Sequence, residues 1–274
     1  MQNFQDVMDF IQPEQVGRHW FRGHSLNPQS RIYGGQVLTQ CLLAANATVD
    51  ESLIAHSMHA YFLRAGDPTA PIEFEVDPIR DGRSFCTRRV VARQNDKAIF
   101  NTSVSYQVVE AGFEHSQPAP PYGIPEPSDV IPPDVPKSPN LMDLYNVERR
   151  TVTDFVAVEG GPQRLNWFKG RGQLREDPRT HQAAMALVSD FSLLSACIYR
   201  QGYRNWDSEL MVASLDHAIW FHGPVDMNKG VFYGCESPWA GNARGFNRGM
   251  FWDTEGRLVG STTQESLVRI RKES

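Results

Sequence analysis

The stretch DPRTHQAAMALVSDFSLLSACI, from Asp177 to Ile198, decides the fold class of this chain. Asp177 and Pro178 are residue types that favour the N-cap and the first turn of a helix. Apolar residues then recur at the spacing of one helical face, namely Ala184, Leu187, Val188, Phe191, Leu194 and Ile198. The pattern predicts a long helix that packs against a core.

A second stretch of the same kind lies near the start of the chain, between Gly34 and Val49. An alignment of the two stretches without gaps matches residues 35–45 with residues 185–195 and so pairs Gln40 with Asp190. Each helix precedes a run of predicted strands, bounded by turn residues. The first run comprises Ala60–Leu63, Ile72–Val76, Phe85–Arg93 and Ala98–Val109. The second run comprises Ser214–His222, Val231–Ser237, Ala243–Asp253 and Leu258–Ile270. The sequence therefore predicts two copies of one pattern, a helix followed by a run of strands.

A proline-rich stretch between Gln117 and Pro139 separates the two copies. Proline at this density removes backbone donors from helices and sheets. A structureless surface loop of this length within one domain would be unusual. We therefore predict an N-terminal repeat over 1–115, a linker over 116–140 and a C-terminal repeat over 141–274. One long helix with an antiparallel sheet in each repeat makes the fold class α+β.

The composition is that of an ordinary globular protein. The chain has 274 residues, 41% of them hydrophobic, and a formal net charge of −5. A net negative chain is a poor general binder of nucleic acid, so we expect no such partner. No signal peptide, membrane-spanning run, peroxisomal C-terminus, metal-ligand cluster or cofactor motif is evident. The four cysteines are far apart in sequence, which favours a reducing compartment. We expect a cytoplasmic protein without metal or cofactor.

Ten short motifs occur in an order that resembles the acyl-CoA thioesterase II (TesB-type) family. The resemblance runs from about Gly17 to Arg269. The motifs are Trp20–Gly23, Tyr33–Val37, His56–Arg64, Arg80–Phe85, Glu110–His115, Val188–Phe191, Ser214–His217, Trp220–His222, Ala243–Phe246 and Thr263–Glu265. Each motif alone is weak, and their order along nearly the whole chain is what makes the resemblance specific.

This resemblance implies a double hot-dog fold, in which two fused repeats each wrap a sheet around a long helix. It also implies hydrolysis of fatty acyl-CoA to free fatty acid and CoA. The family's catalytic positions fall on Asp190, Ser214 and Gln264 of this sequence. Bacterial members commonly carry threonine where Ser214 stands, and serine keeps the hydroxyl. A homo-oligomer, either a dimer or a tetramer, is implied in the same way.

Asp190 is also informative by its chemistry alone. Its neighbours at helical spacing are apolar, which predicts a carboxylate on the buried face of a helix. A buried carboxylate needs hydrogen-bond donors or a shifted pKa, and both are common at functional sites. By residue pattern alone, a structural aspartate bonded to backbone amides or to an arginine explains Asp190 equally well.

Ser214 and Gln264 carry weaker signals. Ser214 opens a predicted strand and lacks the Gly-x-Ser-x-Gly context of a nucleophilic serine. Gln264 lies on a strand face shared with apolar residues, so an inward amide is plausible. Locally satisfied structural side chains are the common alternative for both. The predicted mechanism has Asp190 deprotonate a water that Ser214 and Gln264 hold, with no covalent intermediate.

The two copies differ at the acid, because Gln40 stands opposite Asp190. We therefore expect one hydrolytic site per chain. In the first copy, His59 is the strongest remaining polar candidate, since His59–Phe62 resembles His217–Trp220, but catalysis by His59 is not expected. His56 and His59 have no third metal ligand nearby, so structural roles are favoured.

A basic rim could bind the CoA phosphates, although a solvated strand face explains each arginine singly. The candidates are Arg64, Arg88, Arg89, Arg244, Arg248 and Arg271.

Two other functions stay open at this point. A hot-dog hydratase or dehydratase would pair a histidine with a carboxylate, and His217 follows Asp216 directly. Adjacent strand residues point to opposite faces, which weakens that interpretation. The other alternative is a non-catalytic protein that binds acyl-CoA.

Overall fold

A computed structural model describes residues 1–29, 31–117, 141–154, 164–203 and 208–271. The predicted linker over 116–140 lies outside the described residues, apart from its first two positions. The helices are α1 (Phe4–Ile11), α2 (Gly34–Asn46), α3 (Leu141–Leu144), α4 (Pro178–Ser189) and α5 (Leu193–Arg200). The first-half strands are β1 (Glu14–Gly17), β2 (Trp20–Gly23), β3 (Leu53–Phe62), β4 (Ile72–Asp81), β5 (Phe85–Gln94) and β6 (Lys97–Val108). The second-half strands are β7 (Val147–Asp154), β8 (Arg164–Gly170), β9 (Leu210–Ser214), β10 (Asp216–Phe221), β11 (Val231–Gly241), β12 (Arg244–Trp252) and β13 (Leu258–Ile270).

The thirteen described strands form one antiparallel sheet, in the order β1-β2-β4-β5-β6-β3-β10-β13-β12-β11-β8-β7, with β9 beside β13. The two halves meet where β3 pairs with β10, with His59 opposite Ala218 and Met58 opposite Ile219. From this junction the strand order is the same in both directions. The architecture is therefore a double hot-dog, and the predicted α+β class is confirmed.

The two central helices α2 and α4 cross each other under the sheet. A Cβ added to Gly35 would collide with the carbonyl oxygen of Leu187, so only glycine permits this approach. Thr39 Oγ1 donates to the carbonyl of Ala183 at 3.2 Å in the same crossing. Close contact of the two helices places the start of α2 beside the end of α4, where the candidate site lies.

Several elements differ from the sequence prediction. The predicted helix over 177–198 is two helices, because Ser192 adopts a left-handed conformation at φ 75° between α4 and α5. The N-cap prediction is confirmed, since Asp177 accepts the amides of Arg179 and Thr180. β3 begins at Leu53, earlier than expected. The sequence patterns missed the short elements α1, α3, β1, β2, β7 and β8.

The alignment that paired Gln40 with Asp190 was wrong. Counted from the first residue of each helix, Asp190 and Asn46 both occupy position thirteen. Gln40 is fully buried inside α2, where its amide donates to the carbonyl of His24. Apolar spacing has the same period all along a helix, so it does not fix the register between two helices.

The match between His59 and His217 was likewise misleading. His59 lies on the outer face of the sheet, edge-on to Trp220, whereas His217 is buried on the inner face. Since side chains alternate along a strand, the two histidines are one position out of structural register.

The segment Pro178–Arg200 is long and apolar enough to cross a membrane by length and composition. Of its most apolar part, 78% is buried inside the fold, so it serves here as the core helix pair α4 and α5. All four cysteines are buried as free thiols.

Candidate active site

Asp190 lies at the C-cap of α4, in the break before α5. The prediction had placed it inside a helix. The chain turns away from the helix at Ser192, whose hydroxyl accepts a hydrogen bond from the buried Asn166 amide at 3.3 Å. The neighbouring Phe191 ring packs edge-on against Phe168, with 5.8 Å between centroids. These contacts hold the left-handed turn and direct the Asp190 carboxylate away from α4.

The Asp190 carboxylate contacts both halves of the chain. Its Oδ1 accepts a hydrogen bond from Gln264 Nε2 at 2.7 Å. It also accepts the backbone amide of Gly35, in the first turn of α2. A Cβ added to Gly34 would lie 2.6 Å from Asp190 Oδ2 and 2.8 Å from the Phe62 ring. The site therefore requires glycine at the start of α2, because any larger residue would displace the carboxylate.

Burial raises the pKa of Asp190 above its ordinary value, and the hydrogen bonds from Gln264 and Gly35 partly oppose this rise. The positive end of the α2 dipole acts in the same direction as these bonds. A carboxylate with a raised pKa is a better proton acceptor than an exposed one. The residue remains partly accessible to solvent.

Gln264 is fully buried on β13 and is the second predicted site residue in this contact. Besides Asp190, its Nε2 lies 3.2 Å from His217 Nδ1. The other imidazole nitrogen of His217, Nε2, lies 2.9 Å from Ser189 Oγ. Burial lowers the pKa of His217 to about 3, so its imidazole is neutral at physiological pH. From the sequence, His217 was one member of a possible histidine–carboxylate pair and the counterpart of His59, and a contact with Gln264 was not predicted.

Asp190 and Ser214 line one pocket, whose volume is about 370 Å³. Ser214 ends β9, opposite Ser266 of β13, and is partly accessible. Most of the pocket wall is apolar. The apolar side chains include Ile32, Val37, Phe62, Leu63, Ile99, Phe100, Val212 and Leu215. The structure thus brings Asp190 to both other predicted residues: Gln264 by direct contact and Ser214 across the pocket.

Two arginines, Arg31 and Arg64, also line this pocket and are exposed. One Arg64 nitrogen donates to the carbonyl of Ala98 at 2.7 Å, which leaves other N–H groups of the guanidinium for a ligand. Of the predicted basic rim, Arg64 alone lines the pocket. Sequence reasoning missed Arg31, which precedes α2 by three positions and carries no motif of its own.

The other predicted rim arginines make contacts elsewhere. Arg88 is buried and bonds to Thr48 and Asp81. Arg89 pairs with Asp77, Arg244 with Glu265 and Arg248 with Glu236, whereas Arg271 is an exposed residue. Structural roles on the sheet therefore account for the paired arginines.

Asp216 and His217 do not form a catalytic pair. Asp216 Oδ1 accepts the backbone amide of Glu265 at 2.6 Å, while His217 faces the core. Within the described part of the chain, no group of three or more acidic, histidine or cysteine side chains could hold a metal ion. His56 bonds to Ser105 and His59 packs on Trp220, away from the pocket.

Comparison with known proteins bears directly on this arrangement. The family model "Acyl-CoA thioesterase N-terminal domain" matches residues 23–107, and "Acyl-CoA thioesterase C-terminal domain" matches residues 120–268. The chain belongs to the acyl-CoA thioesterase II family. This thioesterase is 33% identical to acyl-coenzyme A thioesterase 8 of Mus musculus, over 97% of this chain and 89% of the relative. It is 31% identical to acyl-CoA thioesterase 2 of Haemophilus influenzae, over 96% and 97%.

Among solved structures, the thioesterase is similar to the acyl-CoA thioesterase II TesB2 from Mycobacterium marinum. The TM-score is 0.84 and the identity 33%, over 97% of this chain and 99% of that one. A hot-dog protein from Alicyclobacillus acidocaldarius aligns with a TM-score of 0.77 at 17% identity, which supports the fold alone. The predicted family, the fold and the enzyme class, a thioester hydrolase, are confirmed.

Proposed function

We propose that this thioesterase hydrolyses fatty acyl-CoA to free fatty acid and CoA, using a water molecule that Asp190 activates. The observation that carries the proposal is the Asp190 carboxylate itself. It is made more basic by burial, is held by Gln264 and Gly35, and lies in the wall of an apolar pocket that Ser214 shares. An apolar pocket of this kind suits an acyl chain.

In the proposed reaction, the water oxygen bonds to the thioester carbon while Asp190 takes one of its protons. The oxyanion faces the start of α2, where we assign the free amide of Gly34 as donor because the Gly35 amide already serves Asp190. The carbon–sulfur bond then breaks, and the proton on Asp190 passes to the leaving sulfur. Ser214 holds the water, and Gln264 holds Asp190.

The proposal includes no covalent intermediate. Ser214 ends a strand that continues into β10 after one residue, and it does not sit on the sharp strand-to-helix turn of a nucleophilic serine. A single turnover in ¹⁸O-water tests this step. Direct attack by water places the label in the released fatty acid without an acyl-enzyme, whereas label found first in the Asp190 carboxylate, or an acyl group on Ser214 in the mass spectrum of quenched enzyme, would contradict the proposal.

Arg31 and Arg64 are the groups that we assign to the phosphates of CoA. Both are exposed at a pocket that also holds the candidate catalytic residues. Arginine presents a planar array of donors that matches phosphate oxygens. Since both residues belong to the first half of the chain, the first half would bind CoA and supply the oxyanion donor, and the second half would supply Asp190, Ser214 and Gln264.

The primary test is release of thiol from palmitoyl-CoA, followed with a thiol reagent, for the wild type and for Asp190→Asn. We expect steady release by the wild type and almost none by the variant, with acyl-CoA binding retained. Binding without turnover by the wild type would instead indicate an acyl-CoA-binding protein. Hydration of an enoyl-CoA without thiol release would indicate a hydratase.

Four predictions from sequence about the setting of the enzyme remain proposals. We propose a cytoplasmic protein that forms a dimer or a tetramer, inserts in no membrane and binds no nucleic acid. The buried position of the apolar segment Pro178–Arg200 supports the absence of membrane insertion. Light scattering of the purified chain measures its oligomeric state, and a monomeric mass would contradict that part.

A further inference from the structure

His217 is a buried side chain beside the candidate site that the proposed mechanism does not use. Only 1% of its surface is exposed, and it faces Gln264 across the β10–β13 pair. Burying a polar imidazole is costly unless both ring nitrogens are hydrogen-bonded. The two contacts that satisfy them decide what His217 can do.

The Ser189 hydroxyl fixes the proton on the imidazole. Ser189 Oγ donates to the carbonyl of Ala186 at 2.8 Å, so its lone pair is what faces His217. His217 Nε2 must therefore carry the proton and donate to Ser189 Oγ, at 2.9 Å. The tautomer that results leaves Nδ1 as an acceptor.

This acceptor in turn fixes the amide of Gln264. Nδ1 lies 3.2 Å from Gln264 Nε2, and Asp190 Oδ1 lies 2.7 Å from the same nitrogen. The two N–H groups of the amide therefore point to two different acceptors. If the amide turned over, its oxygen would face the Nδ1 lone pair, and both bonds would be lost.

The orientation matters most after Asp190 has taken a proton. A protonated carboxyl group could donate to the amide oxygen if Gln264 turned over, and the proton would then be held away from the leaving sulfur. His217 opposes that turn at every stage of the reaction, because it stays neutral and its contact with Gln264 does not depend on the charge of Asp190.

We propose that His217 is a positioning residue, which locks the Gln264 amide in one orientation and thereby keeps Asp190 aimed into the pocket. The proposal rests on the proposed function, since it assigns His217 a role in the same hydrolysis. Other titratable groups near this cluster are Tyr33, which donates to the carbonyl of Leu187, and Tyr233, which donates to the carbonyl of Ser189.

Two amide variants separate this role from a merely structural one. In His217→Asn the side-chain oxygen can take the place of Nδ1 and accept from Gln264. In His217→Gln the amide reaches the place of Nε2 and can bond to Ser189, but it offers nothing at the Nδ1 position. The residues differ by one methylene group, and each removes the imidazole.

We expect His217→Asn to keep kcat for palmitoyl-CoA within about threefold of the wild type. We expect His217→Gln, and likewise His217→Leu, to lose about 30-fold in kcat with little change in KM. In His217→Gln and His217→Leu, the acid limb of the kcat profile should also lie at higher pH than in the wild type, because Gln264 then holds the Asp190 carboxylate less well. Equal kcat for the Asn and Gln variants, or wild-type kcat for the Leu variant, would overturn the proposal.

A measurement on the wild type does not depend on the activity of any variant. In ¹⁵N-histidine NMR spectra, His217, assigned by its absence in one variant, should show a protonated Nε2 and an unprotonated Nδ1 from pH 5 to pH 9. A protonated Nδ1 with an unprotonated Nε2 would refute the proposed role of His217 in fixing the Gln264 amide. Failure of the proposed function looks different, because Asp190→Asn would then retain its activity whatever His217 does.

Discussion

The two halves of this thioesterase differ where the end of one central helix meets the start of the other. One half has an open pocket there, and in the other half side chains seal the space. Asp190, the C-cap of α4 and the thirteenth residue from its start, contacts the glycine start of α2 and lines a pocket. At position thirteen of α2 stands Asn46, whose side-chain oxygen accepts from the buried Tyr106 hydroxyl at 2.8 Å. The second residue of α4 is Arg179, where α2 has Gly35.

Arg179 has a different role from Gly35, which packs closely against the carbonyl of Leu187 in the other half. Its guanidinium donates to the carbonyls of Asn46, at 3.1 Å, and of Leu53, at 2.7 Å, and it also bonds to the carbonyls of Val49 and Asp50. Arg179 therefore closes this end in one half, whereas Gly34 leaves room for the Asp190 carboxylate in the other. The two halves have similar folds, but they differ at this helix start in side-chain volume and in the hydrogen-bond donors that the residue supplies.

The largest effect should come from exchanging the acid between the two positions. Asp190→Asn removes the proposed general base, and we expect kcat for palmitoyl-CoA to fall by about 10²–10⁴-fold. Asn46→Asp is the matched variant in the sealed half, and it should leave kcat unchanged. A gain of a second hydrolytic site in Asn46→Asp, or normal activity of Asp190→Asn, would break the comparison.

The glycine start of α2 should be nearly as sensitive. In Gly34→Ala the new methyl group meets Asp190 Oδ2 and the Phe62 ring, so the carboxylate must shift. We expect a loss of about 10²-fold in kcat/KM. Gly223→Ala is the control, since its added Cβ meets no atom within 4 Å. Equal loss in both variants would show that the effect is not specific to the site.

The contact between Gln264 and Asp190 should appear in the pH profile. The hydrogen bond from Gln264 lowers the pKa of Asp190, so Gln264→Ala should raise it further. Because the ionised carboxylate is the active form, the acid limb of the kcat profile should move to higher pH. We also expect a drop of about tenfold in kcat at neutral pH. Thr263→Ala, on the opposite strand face, serves as control, and an unmoved limb in Gln264→Ala would refute the assignment.

A smaller effect should show what the first half contributes. Arg31→Ala and Arg64→Ala should each raise KM for palmitoyl-CoA by about fivefold, because an exposed charge pair contributes about 1 kcal/mol. The palmitoyl thioester of N-acetylcysteamine lacks the phosphates, so its KM should not change. Arg89→Ala removes a charge paired with Asp77 and is the matched control. Equal increases for both substrates would refute a phosphate-binding role.

The smallest effect concerns stability. Since burial raises the pKa of Asp190 in the folded chain, the folded state holds this proton over a pH interval where the unfolded chain has lost it. Stability should therefore fall as pH rises from about 3.9, the ordinary aspartate value, through the folded pKa. In Asp190→Asn this part of the slope should disappear. Urea unfolding at several pH values measures it, and an unchanged slope in the variant would contradict the prediction.

The register between the two halves could not be predicted from local pattern. Apolar spacing predicted both core helices but set Gln40 opposite Asp190, because every turn of a buried helix carries similar residues. The α4–α5 break was also missed, since the left-handed Ser192 depends on Asn166, which lies far away in sequence. Short edge elements such as β1 and β7 carry too few residues for a periodic signal.

By itself, the sequence determined the fold class and the two-repeat plan, which follow from periodicity and turn chemistry. The resemblance that the ordered motifs carry gave the family and implied the three candidate residues. Only the tertiary structure decided that Asp190 lies in a helix break, that Gln264 bonds to it and to His217, and that Arg31 reaches the pocket. Those facts depend on contacts between residues far apart in sequence, such as Gly34 with Asp190 and Arg179 with the carbonyls of Asn46 and Leu53, which no local pattern records.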